Sequence, residues 1–151
     1  MFEILMFLFE NYFDAGSYPD SDKLSLKLTA AGFDDEDIHL ALTWLSGLKR
    51  LTPADYPASL NHNGIRCYAE LETKRISTEG LHFLTFWEQS GAITPVEREM
   101  IIDRAVALGR ERLSLERVKL IALMVLRSLH EDLDPILVEE LLMPVEADLL
   151  H

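Results

Sequence analysis

Apolar residues recur along this chain at helical spacing, in blocks separated by stretches richer in glycine, proline and acids. Phe2, Leu5, Met6, Phe9 and Phe13 fall three or four residues apart, and Ile4, Leu8 and Tyr12 widen the stripe. That predicts a helix over about residues 2–13, buried over much of its surface. Leu24, Leu28 and Ala31 predict a short amphipathic helix over 23–31. Gly32 follows the last periodic position, where glycine can close a helix in the left-handed conformation, and Phe33 can fold back onto the last turn. Asp34 suits the N-cap of the next helix, and Asp35, Glu36 and Asp37 fall in its first turn, where the helix dipole favours negative charge. That helix carries Ile38, Leu40, Ala41, Leu42, Trp44, Leu45 and Leu48, an apolar arc of roughly 200° at about 100° per residue. Short helix, glycine turn and longer helix form a helix-turn-helix-like unit, a pattern shared by three-helix binding modules and by DNA-binding proteins.

Periodicity stops after Arg50. Pro53, Pro57, Asn61, Asn63 and Gly64 mark a linker or loop. Ile65, Cys67 and Ala69 alternate with Arg66, Tyr68 and Glu70, which taken alone suits a short strand. With no second clear strand to pair it, an extended entry into a helix over 69–75 is the better reading. Leu81, Phe83, Leu84, Phe86 and Trp87 predict a helix over 78–90 ended by Gly91. Thr94, Pro95 and Glu97 spell a capping box with proline at the first helical position, opening a helix to about Leu108. Ser114 caps the next helix. There Leu120 to Leu126 are apolar without interruption, so this helix is core all round and central to the C-terminal half. Asp134 and Pro135 start a last short helix to about Leu142, and Pro144 ends it. The expectation is an all-α fold, a compact bundle of about six to eight helices. It is one domain of 1–151 or two lobes, an N-terminal lobe 1–52 and a C-terminal lobe 67–151, joined by 53–66.

Charge narrows the function. The 151 residues carry a formal charge of −12. Acids outnumber bases nine to four in 1–52 and fourteen to seven in 78–151, and 53–77 balances at three each, so no segment is basic. Nucleic-acid binders need a positive surface to neutralise phosphates, so direct binding of DNA or RNA is disfavoured, as are anionic membranes. A basic protein partner suits the charge. No apolar run approaches the about 18 residues of a membrane span. Glu3 and Glu10 interrupt the apolar N-terminus, which has no basic leader, and the chain reads as cytoplasmic.

Catalytic signatures are absent. The sequence holds no G-x-S-x-G, P-loop, G-x-G-x-x-G or H-E-x-x-H motif. His39, His62, His82, His130 and His151 do not recur at one helical turn, and the acids sit mainly at helix starts or on exposed faces, with nothing that couples one to a buried or cationic environment. The single cysteine, Cys67, reads as a small buried residue. No catalytic, cofactor-binding or metal-binding residue is assigned, and no cofactor is expected.

Several stretches together resemble a known family: MFEILMFLFENYF, AGFDDEDIHLALTWL, FLTFWEQSGAIT with REMIIDRAVAL, LERVKLIALMVL, and the ending EELLMPVEADLLH. In that order and over nearly the whole chain they are similar to the bacterial Smg family. The resemblance implies a small, acidic, cytoplasmic protein without an assigned biochemical activity. Genes of that family often lie beside that of a DNA-processing protein of natural transformation. Charge, missing catalytic motifs and the aromatic first helix point to a non-enzymatic adaptor, with Phe9, Tyr12, Asp34, Asp35, Glu36 and Asp37 as partner contacts. The alternative is an accessory factor in DNA processing that uses the helix-turn-helix-like unit, with Lys49 and Arg50 near phosphate. An unrecognised enzyme is the third reading.

Overall fold

Helix ends carry the most explicit local instructions in this chain, and the fold follows them closely. The structure, a computed structural model, describes residues 2–12, 18–56, 66–109, 111–130 and 132–142. Among these residues it is all-α, with eight α-helices: α1 Phe2–Tyr12, α2 Ser21–Ala30, α3 Asp35–Arg50, α4 Glu70–Arg75, α5 Thr78–Gln89, α6 Pro95–Ala107, α7 Leu115–Leu129 and α8 Pro135–Leu142. A 3-10 turn lies at Pro53–Asp55. Two compact units form, Met1–Arg50 and Leu51–His151. Phe13, the 57–65 part of the expected linker with His62, and the tail 143–151 fall outside the described residues.

In the first unit, α1 and α2 both pack on α3. Ile4, Leu5 and Leu8 meet a core of Leu24, Leu28, Ile38, Ala41, Trp44, Leu45 and Leu48. The second helix starts before the expected Lys23, because the Asp20 carboxylate accepts the Lys23 N–H at 2.9 Å and caps it there. It ends as its glycine dictates. Gly32, at φ 96°, donates to the Thr29 carbonyl at 3.0 Å, and Phe33 donates to the Leu28 carbonyl at 3.3 Å. This pair of reversed bonds satisfies carbonyls that a helix end leaves open. The Phe33 ring then meets Phe7 of α1 edge-on, with centroids 5.8 Å apart. The helix-turn-helix-like unit is thus α2, the glycine turn and α3.

In the second unit, α7 is the centre and packs against α5, α6 and α8. Every residue from Val118 to Leu126 is buried, as the apolar run requires. Lys119 is among them, its ammonium 5.6 Å from the centre of the Phe83 ring. The fifth helix can approach α7 because position 80 has no side chain. A Cβ there would stand 2.9 Å from Val118 Cγ2 and 3.0 Å from Ile76 Cγ2. The expected capping box opens α6: Thr94 N–H donates to Glu97 Oε1 at 2.8 Å, and Glu97 N–H to Thr94 Oγ1 at 3.1 Å. The alternating 66–69 stretch forms no strand. Instead Ile76 pairs with Leu113 in an isolated parallel bridge: Leu113 donates to the Arg75 carbonyl at 2.8 Å, and Ser77 donates to the Leu113 carbonyl at 2.9 Å. Among the described residues, no helix is long and apolar enough to cross a membrane.

Candidate functional site

The residues singled out from sequence lie in the first unit, at both ends of α3. Asp34, Asp35 and Glu36 are exposed and Asp37 is half-buried at its start, beside the Phe7–Phe33 contact. The Asp34 carbonyl accepts the first helical bond, from Ile38 N–H at 2.9 Å. Leu40, one turn on from Glu36, is 48 % exposed. Phe9 and Tyr12 are half-buried on α1. Tyr12 meets Tyr18 edge-on at 6.0 Å, with the Lys27 ammonium 5.3 Å from the Tyr12 ring and Lys49 5.8 Å from the Tyr18 ring. Tyr12 is therefore linked through Tyr18 to the basic end of α3, while the acids occupy the other end. At 1.5 Å per residue those ends are roughly 24 Å apart.

The second unit holds a charged array that the sequence reading missed. Five side chains alternate in sign from α4 to α5: Glu72, Arg66, Glu99, Arg98 and Glu88. Arg66 bonds both Glu72 oxygens at 2.9 and 2.7 Å and both Glu99 oxygens at 3.1 Å. It also donates to the Cys67 carbonyl. Arg98, almost fully buried, bonds Glu99 at 2.7 Å and Glu88 at 2.6 Å. Beside them Tyr68 shares a 2.7 Å hydrogen bond with the Thr85 hydroxyl, and the Arg66 guanidinium lies 5.2 Å from the Tyr68 ring. A second coupling crosses the same unit: His130, at the end of α7, meets Glu97 of α6 at 2.6 Å.

These contacts shift protonation in readable directions. Burial pushes the Glu72 carboxyl up, but the Arg66 guanidinium and the Ala69 N–H together hold it below the usual range. The two carboxylates raise the Arg66 guanidinium further still. Burial, with Asp103 and Glu99 nearby, pushes Tyr56 up to about 12. Burial also raises Tyr68, against the opposing bond to Thr85.

Two expectations are corrected here. Acids do sit in cationic surroundings, because Glu72, Glu88, Glu97 and Glu99 all meet a base or histidine. A warning was present in the sequence. Glu97 and Arg98 share the helical spacing of Ile101, Ile102 and Ala105, and a charge on an apolar face needs a partner. Partners more than thirty residues away, such as Glu99 for Arg66, leave no such local trace. Cys67 is exposed, not buried. Arg66 and Tyr68 turn inward to Glu99 and Thr85, so the alternation puts the small residues Cys67 and Ala69 outside. Among the described residues, no group of three or more His, Cys, Asp or Glu could hold a metal ion.

Comparisons with known proteins place this arrangement in a family. The whole chain, residues 1–151, matches the family model described as "Protein of unknown function (DUF494)". It is 45 % identical to a "Protein Smg homolog" of Nitrosomonas europaea over 152 residues, covering all of both chains. Homologs of the same name in Methylobacillus flagellatus and an Azoarcus species are 42 % and 43 % identical, again over the full length of each chain. No solved structure matches. Full-length similarity at this level, in agreement with the family model, shows that the chain belongs to the Smg family.

Proposed function

We propose that the protein is a non-enzymatic adaptor of the cytoplasm that docks a protein partner through the Met1–Arg50 unit. The observation that carries this reading is an apolar side chain left on the surface beside an acidic helix start. Leu40 is exposed one turn beyond Glu36 on α3. Leu26 of α2 is 73 % exposed, and Phe9 and Tyr12 keep part of their surface on α1. A partner suited to this surface presents apolar side chains flanked by lysine or arginine. Burying the apolar groups would supply most of the affinity, and the acids would steer approach and register.

The rival reading, an accessory factor in DNA processing, meets two obstacles. The net charge opposes phosphate. In helix-turn-helix readers the N-terminal residues of the second helix reach the base edges, and here those residues are Asp35, Glu36 and Asp37. Lys49 and Arg50 stand at the far end of α3.

Affinity capture of the tagged protein from its own lysate, with and without nuclease, tests the choice. A stoichiometric protein partner that survives nuclease, and that a Leu40→Ser, Glu36→Gln variant loses, is the expected result. Recovery of DNA-processing proteins only with intact nucleic acid would overturn it.

A further inference from the structure

A separate feature of the second unit suggests a moving part. The fourth helix contains no buried residue, and Leu71 on it is 53 % exposed. The segment 66–75 meets α5 and α6 through polar contacts, Arg66 to Glu99 and Tyr68 to Thr85 and the Leu81 carbonyl, and α4 lies against α6 without a fully buried side chain. Glu72 braces Arg66 from within the segment and caps α4 by accepting the Ala69 N–H at 2.8 Å. Apolar anchoring begins only at Ile76, which is fully buried and bridged to Leu113.

We propose that residues 66–75 form a strap that can open as a unit about Ile76. The surface it covers is an acidic cradle that binds an extended segment bearing an arginine and, two residues on, an aromatic. The strap is the occupant supplied by the chain itself. Glu99 takes the guanidinium bidentately, a geometry that selects arginine over lysine. Thr85 takes the phenolic hydroxyl. Arg98 does not compete for the incoming arginine. It is clamped between Glu88 and Glu99, fixing the Glu99 carboxylate where Arg66 meets it. An arginine-bearing peptide from a partner would displace the strap and expose it. This reading concerns a different unit from the α1–α3 surface and does not depend on it.

Cys67 supplies the reporter. It is the only cysteine, it is exposed, and it sits on the strap between Arg66 and Tyr68. A nitroxide attached there reads strap mobility in the full-length protein. Raising salt from about 0.01 M to about 1 M shortens the screening length from roughly 30 Å to 3 Å and should mobilise the label while helical circular dichroism is unchanged. Arg66→Met should be mobile already at low salt, with local opening increased roughly tenfold or more. A fluorescent peptide of residues 66–75 should bind Arg66→Met more tightly than wild type, and lose that binding when Glu99→Gln is added. A label that salt leaves unmoved, or that moves only as the helices melt, overturns the strap, and wild type alone decides this if the variant does not fold. A peptide that binds both proteins equally, or neither, overturns the cradle.

Discussion

Gly32 shows how much one residue decides here. Its φ of 96° lies where a side chain is strained, and the two bonds that close α2 depend on it. Gly32→Ala should therefore destabilise the first unit by about 1 kcal/mol, although a Cβ there meets nothing within 4 Å. Urea unfolding followed by the fluorescence of buried Trp44 checks it. At Glu72 the effect runs through pH. Its carboxyl is held below the usual range in the folded state, so its stabilising contribution is full above the unfolded value and is lost as pH falls through the lowered one. The stability gap between wild type and Arg66→Met should accordingly be steady near neutrality and shrink in acid, as denaturant titrations across that range would show. Tyr56 has the opposite sense. A phenol raised to about 12 favours the folded state fully below about 10 and withdraws that support as pH climbs towards 12. Spectrophotometric titration should find late-ionising phenols, Tyr56 and Tyr68 among them, and Tyr56→Phe should remove one of the late steps and leave the other.

At the scale of elements, packing is decided where helices touch. The fifth and seventh helices meet at Gly80, where an added methyl would press on Val118 and Ile76. These neighbours are β-branched and stiff, so they cannot swing aside. Alanine favours a helix over glycine by about 1 kcal/mol, yet overpacking of this kind costs about 1–3 kcal/mol, so Gly80→Ala should lower stability on balance. Calorimetry of the variant gives the sign directly. The same scale explains what could be read in advance. Helix starts and stops were legible because their signals are local: Thr94 with Glu97, Ser114, Gly32 and Gly91 each act within a few residues. The burial of α7 was legible because its apolar residues cover every side. The Glu72–Arg66–Glu99–Arg98–Glu88 array was not, because it joins three helices and an extended segment whose register comes only from packing. Cys67 misled for the same reason: hydropathy favours the small residue inside, but the ion pair at Arg66 outweighs it.

For the whole molecule, the question is how far each unit stands alone. The first has its own core, from Ile4 to Leu48, closed by three helices. Domains of this size bury a smaller share of their surface and are marginal. We propose that 1–52 is a lobe that folds by itself. Expressed alone, it should be helical and cooperative but melt below the full chain, with Trp44 emission shifting as it does. An unfolded fragment would show that the rest of the chain is needed. The net charge of −12 acts at the same scale, and with no basic segment it speeds the approach of cationic molecules relative to anionic ones.

The bridge between Ile76 and Leu113 has a mechanical consequence. Its two hydrogen bonds tie the chain just before α5 to the chain just before α7. Tension applied along the backbone would pass through that knot and spare α5 and α6 until the bonds gave way. The stretch between the tied residues would then be released together, as a step of roughly 130 Å of contour length. Under load, the unit would behave as a clasped loop with stored slack.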